Sequence, residues 1–390
     1  MGFAGKAPGV YKSEVFLPLQ PKLLTGVPGF VGFVETIKGE KAEGDSTLLK
    51  LVALHRKDEF ESHFTSFPEG YLSDAISGFF LNEGSLCYVV AIQMKSDWDG
   101  WDAGARAREL KAALDLLAPL TDLDLIAVPD AMMSGFSNYA VNLLQQYMLE
   151  HCIRHGERMA ILDAMRGQDE EAVKRQRTSI TEGQSEPVNG ALYYPWIKTI
   201  EGKLIPPCGH VAGIFSRSDA RAGVFKAPAN EEIRGALDLE RLVDDQTQGA
   251  LNSEGINCLR AFPGRGIRVW GARTLSGDAD WRYINVRRLF LTLQRWIDLN
   301  MAWANFEPNT QELWVSITRE LSAYLSELWR AGALRGETAD EAFYIKCDSE
   351  TNPPETREAG QTVTEIGLAP TAPAEFVVVR IVHHTAVEPG

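Results

Sequence analysis

The chain has 390 residues, of which 45% are hydrophobic and 24% charged, with a formal net charge of -14. The composition is that of a globular protein, and the length calls for about two to three domains rather than one core. An acidic chain repels a phosphate backbone and anionic lipid, so nucleic acid and membrane surfaces are disfavoured as partners. No stretch has the apolar length of a membrane span, and the opening MGFAGKAPGVYKSEV lacks the apolar core of a secretory signal. Synthesis in the cytoplasm is therefore expected. The five cysteines (Cys87, Cys152, Cys208, Cys258, Cys347) are scattered and odd in number, with no CxxC pair, and read as small apolar residues rather than a disulfide or zinc framework.

The first residues, through Pro28, carry Pro8, Pro18, Pro21 and Pro28 and only short apolar runs, too little to build a core. Within them, Val10, Tyr11, Val15 and Phe16 have the character of a short strand, so residues 1–28 read as an arm. From Gly29 onward, apolar runs at Phe30–Val34, Leu86–Ile92, Leu123–Val128, Met159–Leu162 and Leu192–Ile197 alternate with helical patterns at Ala103–Leu117 and Asn138–His155. This alternation predicts an α/β domain over residues 29–248 with a mostly parallel sheet. The polar stretch Arg166–Gly190 predicts a helix with a flexible loop.

After Gly249 the character changes. Six of the nine tryptophans lie between Trp270 and Trp329, predicting a Trp-rich α+β domain over residues 249–373. Val286, Leu289, Phe290, Leu293, Trp296 and Ile297 make one amphipathic helix, and Trp314, Ile317, Leu321, Tyr324, Leu325 and Leu328 make a second that stops near Gly332. The end, residues 374–390, reads as a strand and arm carrying Phe376, Val378, Arg380 and Val382.

Catalytic signatures are missing from the sequence. There is no Walker A loop, no Gly-x-Ser-x-Gly elbow and no zinc helix, and Pro263-Gly264-Arg265-Gly266 reads as a turn. His151 and His155 have i, i+4 spacing but no third ligand and read as a solvated helix end, while His383 and His384 point to opposite faces of a strand. The acidic groups Asp169-Glu170-Glu171 and Asp244-Asp245 read as solvated charges. No metal or cofactor is expected, and the chain reads as a non-enzyme.

One local charge stands against the acidic whole. From Arg260 to Arg295 there are eight arginines and only two aspartates, Asp278 and Asp280. About half are expected to brace the fold internally, since the arginine fork suits such pairing. Arg287, Arg288 and Arg295 are candidates for a partner-facing surface, the last two because they lie opposite the apolar stripe of their helix.

The run LNSEGINCLRAFPGRGIRVWGARTLSGDADWRYINVRRLFLTLQRWID resembles the sheath proteins of contractile phage tails and related injection machines. ALYYPWIK, IPPCGHVAGIFSRSDARAGVFKAPANE, APGVY and PAEFVVVRI extend the resemblance over nearly the whole chain. It implies a subunit of stacked hexameric rings around an inner tube protein, with terminal arms that add strands to neighbouring subunits. It further implies baseplate and terminal cap proteins as partners, and a tube-facing inner domain in which Arg287, Arg288 and Arg295 are candidate contacts. The mesh would contract and drive the tube through a target envelope. Two other readings compete: a cytosolic α/β enzyme or small-ligand binder using the sheet's crevice, and a tail-tube or baseplate subunit without the two arms.

Overall fold

The computed structural model describes residues 23–40, 47–94 and 103–373. The arm residues Val10, Tyr11, Val15, Phe16, Phe376, Val378, Arg380 and Val382 lie outside the described residues, as do His383 and His384. The strands in chain order are β1 (Pro28–Ile37), β2 (Leu49–Leu54), β3 (Phe64–Ser66), β4 (Cys87–Gln93), β5 (Leu125–Ala127), β6 (Met159–Asp163) and β7 (Gly190–Tyr194). They continue with β8 (Ile197–Thr199), β9 (Leu204–Ile205), β10 (Glu231–Glu232), β11 (Ala236–Leu239), β12 (Ile256–Phe262), β13 (Gly266–Trp270), β14 (Phe343–Lys346) and β15 (Glu365–Leu368). The helices are α1 (Lys57–His63), α2 (Leu72–Leu81), α3 (Ala103–Asp115), α4 (Asn138–His155), α5 (Glu170–Thr181), α6 (Cys208–Ala222), α7 (Asp245–Ser253), α8 (Ile284–Asn300), α9 (Gln311–Arg330), α10 (Ala339–Ala342) and α11 (Pro354–Glu358).

The main sheet has ten strands in the order β10-β13-β12-β7-β6-β5-β1-β4-β2, with β3 added to β1. The pairings from β12 through β7, β6, β5 and β1 to β4 are all parallel. The outer strands β2, β13 and β10 run antiparallel to their neighbours. β5, β6 and β7 are buried at every position because helices cover both faces, which is why they read as unbroken apolar runs. The five predicted strands are β1, β4, β5, β6 and β7, with Ile197 opening the separate strand β8 rather than ending β7. The sheet continues past residue 249, because Ile256–Cys258 of β12 pairs in parallel with Leu192–Tyr194 of β7.

Local sequence explains the helix ends. Ser137 caps α4 by accepting from the Ala140 N–H, and Gly156 closes it in the left-handed conformation at φ 69°. Asp169 and Asp244, read from sequence as solvated charges, accept the Ala172 and Thr247 N–H groups and cap α5 and α7. α2 and α6 have no side-chain cap of their own. Instead, buried carboxylates reach them from elsewhere in the fold: Asp130, in the turn after β5, accepts from Phe33, Tyr71 and Leu72, and Asp163, at the end of β6, accepts from Cys208. Burial pushes Asp130 up to about 6 and Asp163 up to about 7. α2 and α6 approach so closely that a Cβ on Gly209 would sit 2.2 Å from the Ala75 carbonyl oxygen.

The region after α8 is a smaller unit. Trp296 of α8 stacks on Tyr324 of α9 with ring centroids 4.1 Å apart, inside a cluster that includes Leu313, Trp314, Ile317 and Leu321. A second cluster joins Leu289 of α8 to Ala333, Leu334 and Ala342. Strands β14 and β15 form an antiparallel pair of their own.

Candidate functional site

The first described residues are Leu23–Val27, and each of the last four of these is tied down. The Arg295 guanidinium donates to the Leu24 carbonyl at 3.0 Å, and the Thr25 hydroxyl bonds Asp219. The backbone N–H groups of Gly26 and Val27 donate to the Asp124 carboxylate at 3.0 and 2.7 Å. Gly26 is required here twice over, since its φ is +69° and a Cβ would lie 2.5 Å from the Ser216 Cα.

Asp124 and Asp219 are in turn held by Arg288 of α8, at 2.7 Å to one and 2.8 and 2.6 Å to the other. All three side chains are buried. Burial alone would pull the guanidinium's pKa down, and the two carboxylates more than offset that, so Arg288 stays charged. Burial raises Asp219, with Arg288 opposing it. The group carries two carboxylates for one guanidinium, and further donors offset the excess charge: the Gly26 and Val27 N–H groups on Asp124 and the Thr25 hydroxyl on Asp219.

The other end of the described chain is tied to the same helix. Asn285 of α8 donates its side-chain amide to the carbonyls of Thr371 and Phe225 at 2.9 and 2.8 Å. Thr371 also donates its N–H to Ala333 and its hydroxyl to Gly332. Asn285, Arg288, Thr292 and Arg295 follow i, i+3, i+7, i+10 spacing and are 2 to 8% exposed, so α8 has a buried polar stripe beside its apolar one. The two chain roots are thus anchored about 15 Å apart along one helix, at 1.5 Å rise per residue. α8 lies across the amino-terminal ends of the parallel strands, where Arg287 donates to Asn189 just before β7 and Arg295 to Thr121 just before β5.

This geometry corrects two expectations. Arg288 and Arg295 are not on a free surface: α8 is packed on both sides, and the stripe opposite its apolar face points into the molecule. Arg287 is half-buried, 4.7 Å from the Trp281 ring centroid. His151 is fully buried rather than solvated, and its Nε2 lies 2.9 Å from an Arg158 guanidinium nitrogen. Among the described residues no group of three metal-ligating side chains occurs, and the histidine pair stays a pair. The cysteines are free, and all but the half-exposed Cys347 are buried.

Sequence reasoning did not single out Asp124, Asp219 or Asn285. A signal existed for the first: Asp124 interrupts the apolar run Leu123–Val128, and a carboxylate buried at the start of a covered strand demands a partner.

A family model of the phage tail sheath protein central domain matches residues 103–275, and one of the phage tail sheath C-terminal domain matches residues 276–383. A prophage major tail sheath protein of Pseudomonas aeruginosa (strain UCBPP-PA14) is 28% identical over 182 residues, 45% of this chain and 45% of that protein. The tail sheath protein of Vibrio phage KVP40 is 28% identical over 188 residues, 46% of this chain and 26% of that protein. The chain thus spans less than half the length of these two relatives. Among solved structures, a chain of the anti-feeding prophage baseplate superposes with a TM-score of 0.76 at 28% identity, covering 97% of this chain and 99% of that one. A chain of the contracted sheath complex of an extracellular contractile injection system, PVC, gives 0.73 at 28% identity, covering 97% of each. The chain belongs to the contractile tail sheath family.

Proposed function

We propose that this chain is a structural, non-catalytic subunit of a contractile sheath: it polymerises with itself around an inner tube in stacked hexameric rings, joins a baseplate and a terminal cap, and contracts to drive the tube through a target envelope. On this reading it is made in a bacterial cytoplasm and works in an assembled tail or tail-like particle. The observation that carries it is the fixing of both chain roots on α8. A subunit that is pulled at both ends needs its ends joined through a rigid element, and a helix with buried ion-paired anchors is one.

The arms' acceptor on this reading is the β14–β15 pair. Two strands alone are marginal in water, and among the described residues neither outer edge is paired with a further strand. An arm strand added there gains roughly 0.5–1.5 kcal/mol for each hydrogen bond. Charge supports the match: residues 1–22 carry Lys6, Lys12 and Lys22 against Glu14, while Asp348, Glu350, Glu355, Glu358 and Glu365 surround the pair against Lys346 and Arg357. The tube-facing surface is assigned to the residues from α8 onward, and of the three candidate arginines Arg287, on the first turn of α8, is the one that keeps partial exposure.

The test is deletion of residues 1–22. The truncated chain is expected to melt within a few degrees of the parent, because it keeps Leu24–Val27 and their bonds to Arg295 and Asp124, and to form no cylinders by electron microscopy. Normal cylinders from this variant would sink the arm assignment.

A further inference from the structure

We propose that the turn between α8 and α9 docks on the β12–β13 turn of a second copy of this chain, making a head-to-tail contact additional to the arms. This rests on the reading that the chain polymerises.

The α8–α9 turn carries two features that an isolated subunit does not need. Phe306 is wholly exposed, and its backbone is held at φ +68°, a left-handed conformation that a bulky side chain adopts only under strain. Leu299, Trp303 and Val315 are exposed beside it in sequence, at 50, 39 and 60%. An apolar tip of this kind marks an interaction surface. Its rim is of one sign: residues 296–318 include Asp298, Glu307 and Glu312 and no Lys or Arg. Glu307 and Glu312 form no ion pair among the described residues.

The β12–β13 turn has the complementary chemistry. Phe262 packs on Trp270 at 4.5 Å, with the Arg260 and Arg265 guanidinium groups 5.4 and 5.8 Å from its ring centroid. Arg265 and Arg268 hydrogen-bond to Asn230 and form no ion pair among the described residues. An apolar, acidic tip and an aromatic, basic tip on one chain suit each other.

Their positions forbid contact within one molecule. α8 crosses the amino-terminal ends of the parallel strands, and the α8–α9 turn follows from there. β12 runs parallel to those strands, so its turn stands at their carboxy-terminal ends, about 23 Å away for a seven-residue strand. Complementary patches at opposite poles make a heterologous contact, which propagates instead of closing into a dimer.

Charge reversal in the full-length chain tests this, with the concentration needed for cylinders read by sedimentation and electron microscopy. Glu307→Arg with Glu312→Arg, and separately Arg265→Glu with Arg268→Glu, are each expected to raise that concentration at least tenfold at unchanged melting temperature. Combining all four substitutions in one chain restores it. Phe306→Gly removes the ring and relieves the backbone, so it weakens assembly while leaving the melting temperature equal or higher. Reversals that assemble like the parent, or a fourfold variant that stays folded and does not recover, overturn the contact. So do tip variants that form normal cylinders and lose only a co-expressed tube protein, which would make the tube the occupant. If the residue 1–22 deletion abolishes cylinders while the reversals keep them, the tip contact alone fails; if the parent forms none, the polymerisation reading fails with it.

Discussion

Arg288 is the residue on which the amino-terminal root depends, and the cost of losing it can be stated. Replacing it with Met leaves Asp124 and Asp219 buried without a counter-charge, and removing one partner of a buried ion pair costs about 3–5 kcal/mol. The expected outcome is a loss of that size in urea unfolding. Hydrogen exchange should accelerate at the amides of Gly26 and Val27, which donate to Asp124. Adding Asp124→Asn and Asp219→Asn should return part of the stability, because neutral amides need no counter-ion. Unchanged exchange in Arg288→Met would show that the root is held without the ion pair.

His151 makes a second residue-scale prediction. Burial pushes its imidazole down to about 4, with the neighbouring His155 and Arg158 adding to the effect. The unfolded chain takes up a proton at this position near the ordinary histidine value of about 6.5, while the folded chain holds off until about 4. Stability contributed here is therefore lost as pH falls from about 6.5 towards about 4. His151→Gln keeps an acceptor for Arg158 and does not titrate. The slope of urea midpoint against pH in that window should be shallower in the variant than in the parent, and identical slopes would refute the assignment.

At the scale of elements, the α2–α6 pair shows how a helix can escape sequence detection. α6 begins with Cys208-Gly209-His210-Val211-Ala212-Gly213, whose glycines weaken helix propensity and blur any apolar period. In the fold those glycines are what permits contact: Gly209 lies against the Ala75 backbone, Gly213 against the Phe79 carbonyl, and Gly78 against the His210 ring. Gly209→Ala would gain helix propensity, yet its methyl meets backbone and not a yielding side chain. The expected result is a net loss of about 1–3 kcal/mol, the usual cost of overpacking, seen as a lower urea midpoint with an unchanged slope. A gain in stability would mean that the helices can part without penalty. α4 is the opposite case: its cap Ser137 and its closing Gly156 are local, and the sequence reading of Asn138–His155 coincides with the helix.

At the scale of the whole molecule, Leu24–Val27 and Thr371 are all tied through α8, and on the proposed reading the segments outside them can be removed with the body intact. Deleting residues 374–390 leaves Thr371 and its bonds to Asn285, Ala333 and Gly332 in place. The truncated chain is expected to keep its melting temperature within a few degrees and to lose cylinders, as the amino-terminal deletion does. A collapse in stability would mean that the carboxy-terminal segment completes its own subunit's core instead of a neighbour's sheet.

The sequence by itself determined the parallel strands, the two amphipathic helices after residue 283 and the likeness to sheath proteins. These are written in local apolar periodicity, in caps and turns, and in runs of motif, all of which a chain carries whatever its neighbours. Only the tertiary structure decided that the polar stripe of α8 faces inward. Periodicity says which residues share a side of a helix and nothing about what packs there, and the partners of Arg288 stand 69 and 164 residues away in sequence. Whether such a charge is a surface contact or a buried anchor depends on the carboxylates that the fold brings to it, because burial is favourable only where they are present.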